Sequence, residues 1–238
     1  MYGHRARIGY TSPPFLTETF PYEFYQMVPA GVTLVLTTLA IKQLNAQEVD
    51  ESVRMTLDAA RAMGRAGVDI VVFGGVPLNL SLGYAGLERT MQEMEREIGV
   101  PVTSSVTAQI AALRTVGAKN ILLVHPFDDS EAQHANYVRH YGFNVTGEIS
   151  AGKNVAELAM VSAAEVKSLI EGLYRQYPDV DSVYITAPHW GIIDIIDPLE
   201  QEHGVNVITA IQAIVWQALR RCGINDAVRG YGRLLRDF

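Results

Sequence analysis

A ten-residue run of this chain recurs, in altered form, about half a chain later. Val68-Asp69-Ile70-Val71-Val72-Phe73-Gly74-Gly75-Val76-Pro77 aligns without a gap on Val180-Asp181-Ser182-Val183-Tyr184-Ile185-Thr186-Ala187-Pro188-His189. Each copy is a short apolar run ending in a tight turn, the pattern of a strand buried on both faces. A second pair follows the first. Gly99-Val100-Pro101-Val102-Thr103-Ser104-Ser105-Val106 resembles Gly204-Val205-Asn206-Val207-Ile208-Thr209-Ala210-Ile211, and both runs enter a helix ended by a glycine, Gly117 or Gly223. The repeat distance is far beyond solenoid periods. It predicts two copies of one α/β unit related by a pseudo-two-fold axis, with a cleft between them.

The remaining elements agree. Candidate strands are 6–10, 33–37, 70–73, 100–103, 121–125, 144–149, 182–186 and 205–209, alternating with helical patterns. Such alternation predicts parallel sheets with helices on both faces, hence two Rossmann-like halves. The expected division is residues 1–105 plus 213–238 for one half and 106–212 for the other. Asn45 and Glu48 form a capping-box pattern ahead of Val49, Val53, Leu57 and Ala60, and Ser162 and Glu165 repeat it ahead of Val166, Leu169 and Leu173. A helix after Asp128-Asp129-Ser130-Glu131 ends at Gly142. Residues 11–31, with Pro13-Pro14, Pro21 and Pro29, read as a long irregular connection that is either a packed loop or a pocket wall.

Composition removes several function classes. The chain has 238 residues, 48% of them hydrophobic, and a net charge of −7 with no Lys/Arg run, which argues against a nucleic-acid footprint. No apolar run approaches membrane-spanning length, and the first residues lack the apolar core of a secretion signal, so a cytoplasmic protein is expected. The single cysteine, Cys222, excludes an intrachain disulfide and a cysteine zinc site.

The turn after Phe73, the run Pro101–Ser105, the strand into His125-Pro126-Phe127, the strand into Thr186-Ala187 and the ending Gly230-Tyr231-Gly232-Arg233-Leu234 together resemble the aspartate/glutamate racemase superfamily. Within it, the chain resembles the branch of arylmalonate decarboxylase and maleate cis-trans isomerase over nearly its whole length. That resemblance implies an enzyme without cofactor or metal, working on a small carboxylic or dicarboxylic acid through one or two cysteines at the paired strand-end turns. The positions matching those cysteines here are Gly75 and Ala187. Val76 and Pro77 stand where the family places hydroxyl and N–H donors for a carboxylate, and Phe127 stands where it places a tyrosine. The resemblance therefore implies the family's site without its thiol chemistry.

The residues left to act are few. His189, at the second turn, is a candidate general acid/base or a cation for a substrate carboxylate, against the alternative of a turn histidine. His125 and Tyr10 end other strands and are further acid/base candidates. Thr11, Ser12 and Ser104 offer hydroxyls for a carboxylate, although turn and helix-cap roles are equally expected of them. Gly74, Gly75 and Val76 would let substrate approach the backbone, and Phe127, Thr186, Ala187, Pro188 and Trp190 would line the site. Tyr22, Phe24 and Tyr25 are aromatic candidates for a pocket wall. His125, Asp128 and His189 lack the local spacing of a metal site.

The expected function is lyase or isomerase chemistry, a cysteine-independent proton transfer beside a carboxylate. A histidine- or metal-assisted hydrolase or hydratase, and a small-acid-binding protein without catalysis, are the alternatives. The expected partner is a small carboxylate, with a homo-oligomer plausible and neither nucleic acid nor membrane.

Overall fold

The computed structural model describes residues 2–128 and 133–238. The chain forms two compact units, one comprising residues up to Ala108 with Ile214–Asp226, the other Gln109–Ala213 with Ala227–Phe238.

The first unit contains β1 (Ala6–Pro14), α1 (Thr19–Met27), β2 (Val32–Ile41), α2 (Ala46–Arg65), β3 (Ile70–Phe73), α3 (Val76–Ser81), α4 (Tyr84–Ile98) and β4 (Val102–Ser104). Helix α5 (Ser105–Thr115) carries the chain into the second unit. There follow β5 (Asn120–His125), α6 (Gln133–His140), β6 (Asn144–Ser150), α7 (Ala163–Tyr174), β7 (Ser182–Ile185), α8 (Ile196–His203) and β8 (Asn206–Thr209). Helix α9 (Ala210–Arg221) returns to the first unit, and α10 (Arg233–Asp237) ends the chain. Each unit has a four-stranded sheet, ordered β2-β1-β3-β4 and β6-β5-β7-β8, with every pairing parallel. The two orders are the same, as the internal repeat predicts.

Side-chain chemistry explains why the repeated residues recur. Asp69 opens β3 and its carboxylate accepts the Arg7 N–H at 2.7 Å; Asp181 opens β7 and accepts from Lys119 and Asn120 at 2.9 and 2.8 Å. Each aspartate thus pins the start of its strand to the strand beside it. Glu95 accepts the Val102 N–H at 2.9 Å, and Glu200 accepts that of Val207 at 3.2 Å. Ser104 caps α5 through the Thr107 N–H at 3.1 Å, and Thr209 caps α9 through that of Gln212 at 3.2 Å.

Strands β1, β3, β5 and β7 are buried along almost their whole length. In the first unit Ala60, Met63, Val68, Val71, Phe73, Met94 and Val102 form one core cluster between the sheet, α2 and α4. Helix α2 presents Ser52, Thr56, Ala60 and Met63 inward, while Val53 and Leu57 are only half-buried. Small hydroxyl residues, rather than the apolar stripe expected from sequence, lie where the helix meets the core. Asn45 caps α2 as expected, accepting the Glu48 N–H at 3.0 Å, but the Glu48 carboxylate reaches the N–H groups of Lys42 and Gln43. Ser162 caps α7 through Glu165 N–H at 3.2 Å.

Two expectations need correction. Residues 11–31 are no irregular loop: β1 runs on to Pro14, and α1 buries Phe20, Phe24 and Met27 along one face, with Pro21 tolerated in the first turn. The last twelve residues belong with the second unit, where the Gly232 N–H donates to Asp197 at 2.7 Å and the Arg233 N–H to Glu200 at 2.8 Å. Asp129, Ser130 and Glu131, read as a helix start, lie outside the described residues. Among the described residues no helix is long and apolar enough to cross a membrane.

Candidate active site

In open parallel sheets, ligands bind beyond the carboxyl ends of the strands. His125, Thr186, Ala187 and Gly74 lie at or just beyond such ends in their own units, whereas Tyr22, Phe24 and Tyr25 lie on α1.

In the first unit Thr11 pairs with Phe73, and Phe73 with Ser104, so three strand ends stand side by side. Their hydroxyls are largely committed to backbone. Thr11 Oγ1 accepts the Gly74 N–H at 3.2 Å, Ser104 Oγ is the cap of α5, and Ser12 Oγ bonds Thr17 Oγ1 at 2.7 Å. Asn79 ties the arrangement together. Its amide donates to Gly74 O at 3.3 Å and its carbonyl accepts the Val106 N–H at 3.3 Å, which couples the β3 turn to the start of α5. The signal for it was a single polar residue between Leu78 and Leu80.

Tyr10 is fully buried and stacks on Phe20 with ring centroids 3.9 Å apart. Its hydroxyl makes no hydrogen bond of normal geometry, and burial pushes its pKa well up, only partly offset by the nearby Ser105 hydroxyl. It therefore stays a neutral phenol, able to donate and unsuited to act as a base. Tyr22 and Tyr25 are exposed and Phe24 lies in the core, so none of the three lines this strand-end region.

The β3 turn is shaped around the absence of side chains. A Cβ at Gly74 would lie 1.9 Å from Thr11 O. Gly75 has φ +81°, and a Cβ there would lie 2.4 Å from Pro13 Cγ. A cysteine at Gly75 would need both a strained backbone and a shifted proline ring. Val76 begins α3 and is buried. Cys222 lies away from this turn. It follows α9 by one residue and feels Asp69, which precedes β3 at the end of the strand opposite Gly74; burial, then that carboxylate, push its pKa up to about 11.

In the second unit Thr186 follows β7, its N–H donating to Val124 O at 3.0 Å, beside His125 at the end of β5. His125 is held on both sides: Nδ1–H donates to Phe127 O at 2.9 Å, Nε2 faces Glu148 Oε1 at 3.1 Å, and the ring stacks on His134 at 4.8 Å. That geometry fits a residue that shapes the 125–127 turn. Phe127 contributes its carbonyl to it and has no hydroxyl to offer.

Beyond β7 the sequence Thr186-Ala187-Pro188-His189-Trp190 is buried except for partial exposure at Pro188. Thr186 Oγ1 and Trp190 Nε1 are buried polar atoms with no hydrogen-bond partner among the described residues. Such groups are costly unless a ligand satisfies them. His189 is 4% exposed, and desolvation lowers its pKa to about 4, so its imidazole is neutral at pH 7. This sets the sign of a stability effect. Below about 6.5 the unfolded chain binds a proton at this residue that the folded chain refuses until pH about 4. Stability therefore falls as pH drops through that window, by about 3 kcal/mol from His189 alone. Denaturant unfolding at pH 7, 5.5 and 4.5 should show His189→Gln losing this part of the slope; identical slopes in the two proteins would contradict it.

Among the described residues, the ligand-type side chains close enough to share an ion are Glu171, Glu202 and His203, already ion-paired within the group or with Lys167. His125, Asp128 and His189 do not form such a group.

Comparison with known proteins agrees with the fold of two parallel four-stranded sheets. The family model described as arylmalonate decarboxylase matches residues 8–235. An arylmalonate decarboxylase from Bordetella bronchiseptica is 26% identical over 230 residues, 95% of each chain. A liganded crystal structure of arylmalonate decarboxylase, carrying a glycine-to-cysteine and a cysteine-to-serine replacement, superposes with a TM-score of 0.88 at 25% identity, covering 96% of this chain and 98% of that one. A maleate isomerase from Pseudomonas putida, crystallised with maleate, gives 0.87 at 20% identity over 97% of each chain, a likeness of fold. With the matching family model spanning nearly its whole length, this chain belongs to the arylmalonate decarboxylase family.

Proposed function

We propose that the protein is a cofactor-free lyase or isomerase that moves a proton at the carbon beside a carboxylate of a small carboxylic or dicarboxylic acid, and that it does so without a thiol. The observation that carries this reading is the buried segment after β7, where Thr186 Oγ1 and Trp190 Nε1 lack partners among the described residues beside an alanine in the place of the family's cysteine. A hydroxyl and an indole N–H can both donate, and a carboxylate or enediolate oxygen accepts from such donors. The liganded decarboxylase and the maleate-bound isomerase support a small acid as the ligand class.

His189 supplies the proton. Its imidazole is neutral in the free protein, but a substrate carboxylate brought close favours the imidazolium. In a decarboxylation the bond from the α-carbon to the departing carboxylate breaks, CO2 leaves, and the electron pair stays on the α-carbon. The imidazolium then gives its proton to that carbon and is reprotonated from water. In an isomerisation the same group removes and returns a proton. The Thr11, Ser12 and Ser104 hydroxyls are already engaged within the first unit and take no part in this step.

Turnover of a panel of substituted malonates, maleate and related acids tests the reading, with product analysis in D2O. Consumption of a panel acid with one solvent deuteron at the α-carbon is the expected result. Binding of the acids, seen as a thermal shift, without any consumption would replace the enzyme by a small-acid-binding protein.

A further inference from the structure

Three consecutive residues near the carboxyl terminus are seated through their backbone groups. The fully buried Gln212 amide donates to Tyr231 O at 2.6 Å, Asp197 accepts the Gly232 N–H at 2.7 Å, and the buried Glu200 accepts the Arg233 N–H at 2.8 Å. The seat admits only glycine at its middle. Gly232 has φ +85°, and a Cβ there would lie 2.6 Å from Ile196 Cγ2 and 2.7 Å from Gln212 Nε2. The side chains that form the seat stand at the two ends of one connection. Residues 186–197 run from the end of β7 into α8 and carry Thr186, His189 and Trp190. Asp197 lies at the far end, in the first turn of α8. Gln212 lies beside the near end: its carbonyl accepts the Thr209 N–H at 3.2 Å, and Thr209 pairs with Ile185, the last residue of β7. Between these anchors Trp190, Ile192, Ile193 and Ile196 are buried. The matching positions of the first unit are used differently. Ser104 and Thr107 stand where Thr209 and Gln212 do, and Thr107 Oγ1 meets Ser104 Oγ at 2.9 Å and Met91 Sδ at 3.8 Å.

We propose that Asp197 is a positioning residue, which holds the connection carrying His189 and Trp190 in its buried form by pinning it to the carboxyl-terminal residues 231–233. Fixing both ends of a connection cuts the conformations it can reach, and local opening then requires breaking the seat. The residues held are those with the unpartnered Thr186 and Trp190 donors, and donors fixed in advance need no reorganisation when charge develops on a ligand. The consequence for turnover rests on the function proposed above, whereas the pinning of the connection stands without it.

Hydrogen exchange of the full chain, read by mass spectrometry of its peptides, tests it. Asp197→Ala and Gly232→Ala should each speed exchange over residues 187–196 by at least about tenfold, while β5 stays within about twofold of the parent. Asp197→Asn keeps an oxygen that accepts the Gly232 N–H and should restore the parent's protection. Ser162→Ala removes the cap of α7 in the same unit and should lower the melting temperature with no selective effect on 187–196. On an acid that the parent consumes, kcat should fall at least about tenfold in Asp197→Ala and recover in Asp197→Asn. Unchanged exchange over 187–196, a rise merely in step with β5, an asparagine variant as loose as the alanine one, the same selective loss in Ser162→Ala, or an unaltered kcat would each overturn the proposal. Exchange needs no turnover, so panel acids that bind without being consumed would defeat the catalytic reading and leave the pinning to be decided by the exchange result.

Discussion

His189→Gln is expected to lower kcat for the acid substrate by about 10²–10⁴-fold, the usual contribution of a positioned general acid or base. Glutamine keeps a polar, hydrogen-bonding side chain but carries no titratable proton. The pH profile separates this role from a merely structural one. The free enzyme's imidazole has a pKa of about 4, so each unit of pH lowered from 8 toward 5 raises the protonated fraction about tenfold. If the imidazolium is the proton donor, kcat/KM climbs with the same slope, since that ratio reports the ionisation of free enzyme. In His189→Gln the slope disappears along with the rate. Turnover that survives the substitution with its pH dependence intact would remove His189 from the mechanism.

Gly74→Ala is expected to cost about 3 kcal/mol or more, by forced overpacking. The added methyl would sit 1.9 Å from a backbone oxygen, Thr11 O, and 2.9 Å from the Tyr10 ring. A flexible side chain could swing aside, whereas Thr11 is fixed in the β1–β3 ladder and its own hydroxyl holds the Gly74 N–H. Relief requires parting the strands where the site is built. For a chain of this size the melting temperature should fall by about 10 °C. Gly86→Ala is the control. Its Cβ would meet only Leu82 Cβ, at 3.8 Å, within helix α4, so a gain of about 0.5–1 kcal/mol is expected. Equal melting temperatures for Gly74→Ala and parent would mean that the strand-end packing is described wrongly.

The sheets were legible in sequence because buried parallel strands are nearly unbroken Val/Ile runs, and because Asp69 and Asp181, Glu95 and Glu200 do the same work in each copy. Helix α1 was hidden by its own composition. Pro13, Pro14 and Pro21 read as loop, and Glu23, itself only 3% exposed, interrupts the apolar face made by Phe20, Phe24 and Met27. The strand ends that carry the candidate residues were legible. The engagements of its side chains were not. Thr11 holds a backbone group 63 residues away, and His125 is fixed by a carboxylate on the neighbouring strand β6. Such pairings are created by register between strands, which residue spacing does not encode. The lowered pKa of His189 has the same origin, because burial by residues distant in sequence replaces the solvation that a turn histidine would ordinarily keep.

The claim that this family member works without a thiol has a direct test, since Cys222 is the chain's sole cysteine. Its thiol sits at the opposite end of β3 from the β3 turn and ionises only near pH 11. Cys222→Ser therefore yields a protein with no sulfhydryl at all. Measured side by side on the substrate that the parent consumes, the variant should keep kcat and kcat/KM within about twofold, as a partly buried change away from the site predicts. A loss of a hundredfold or more in a protein that remains folded would place a thiol in the mechanism and contradict the account.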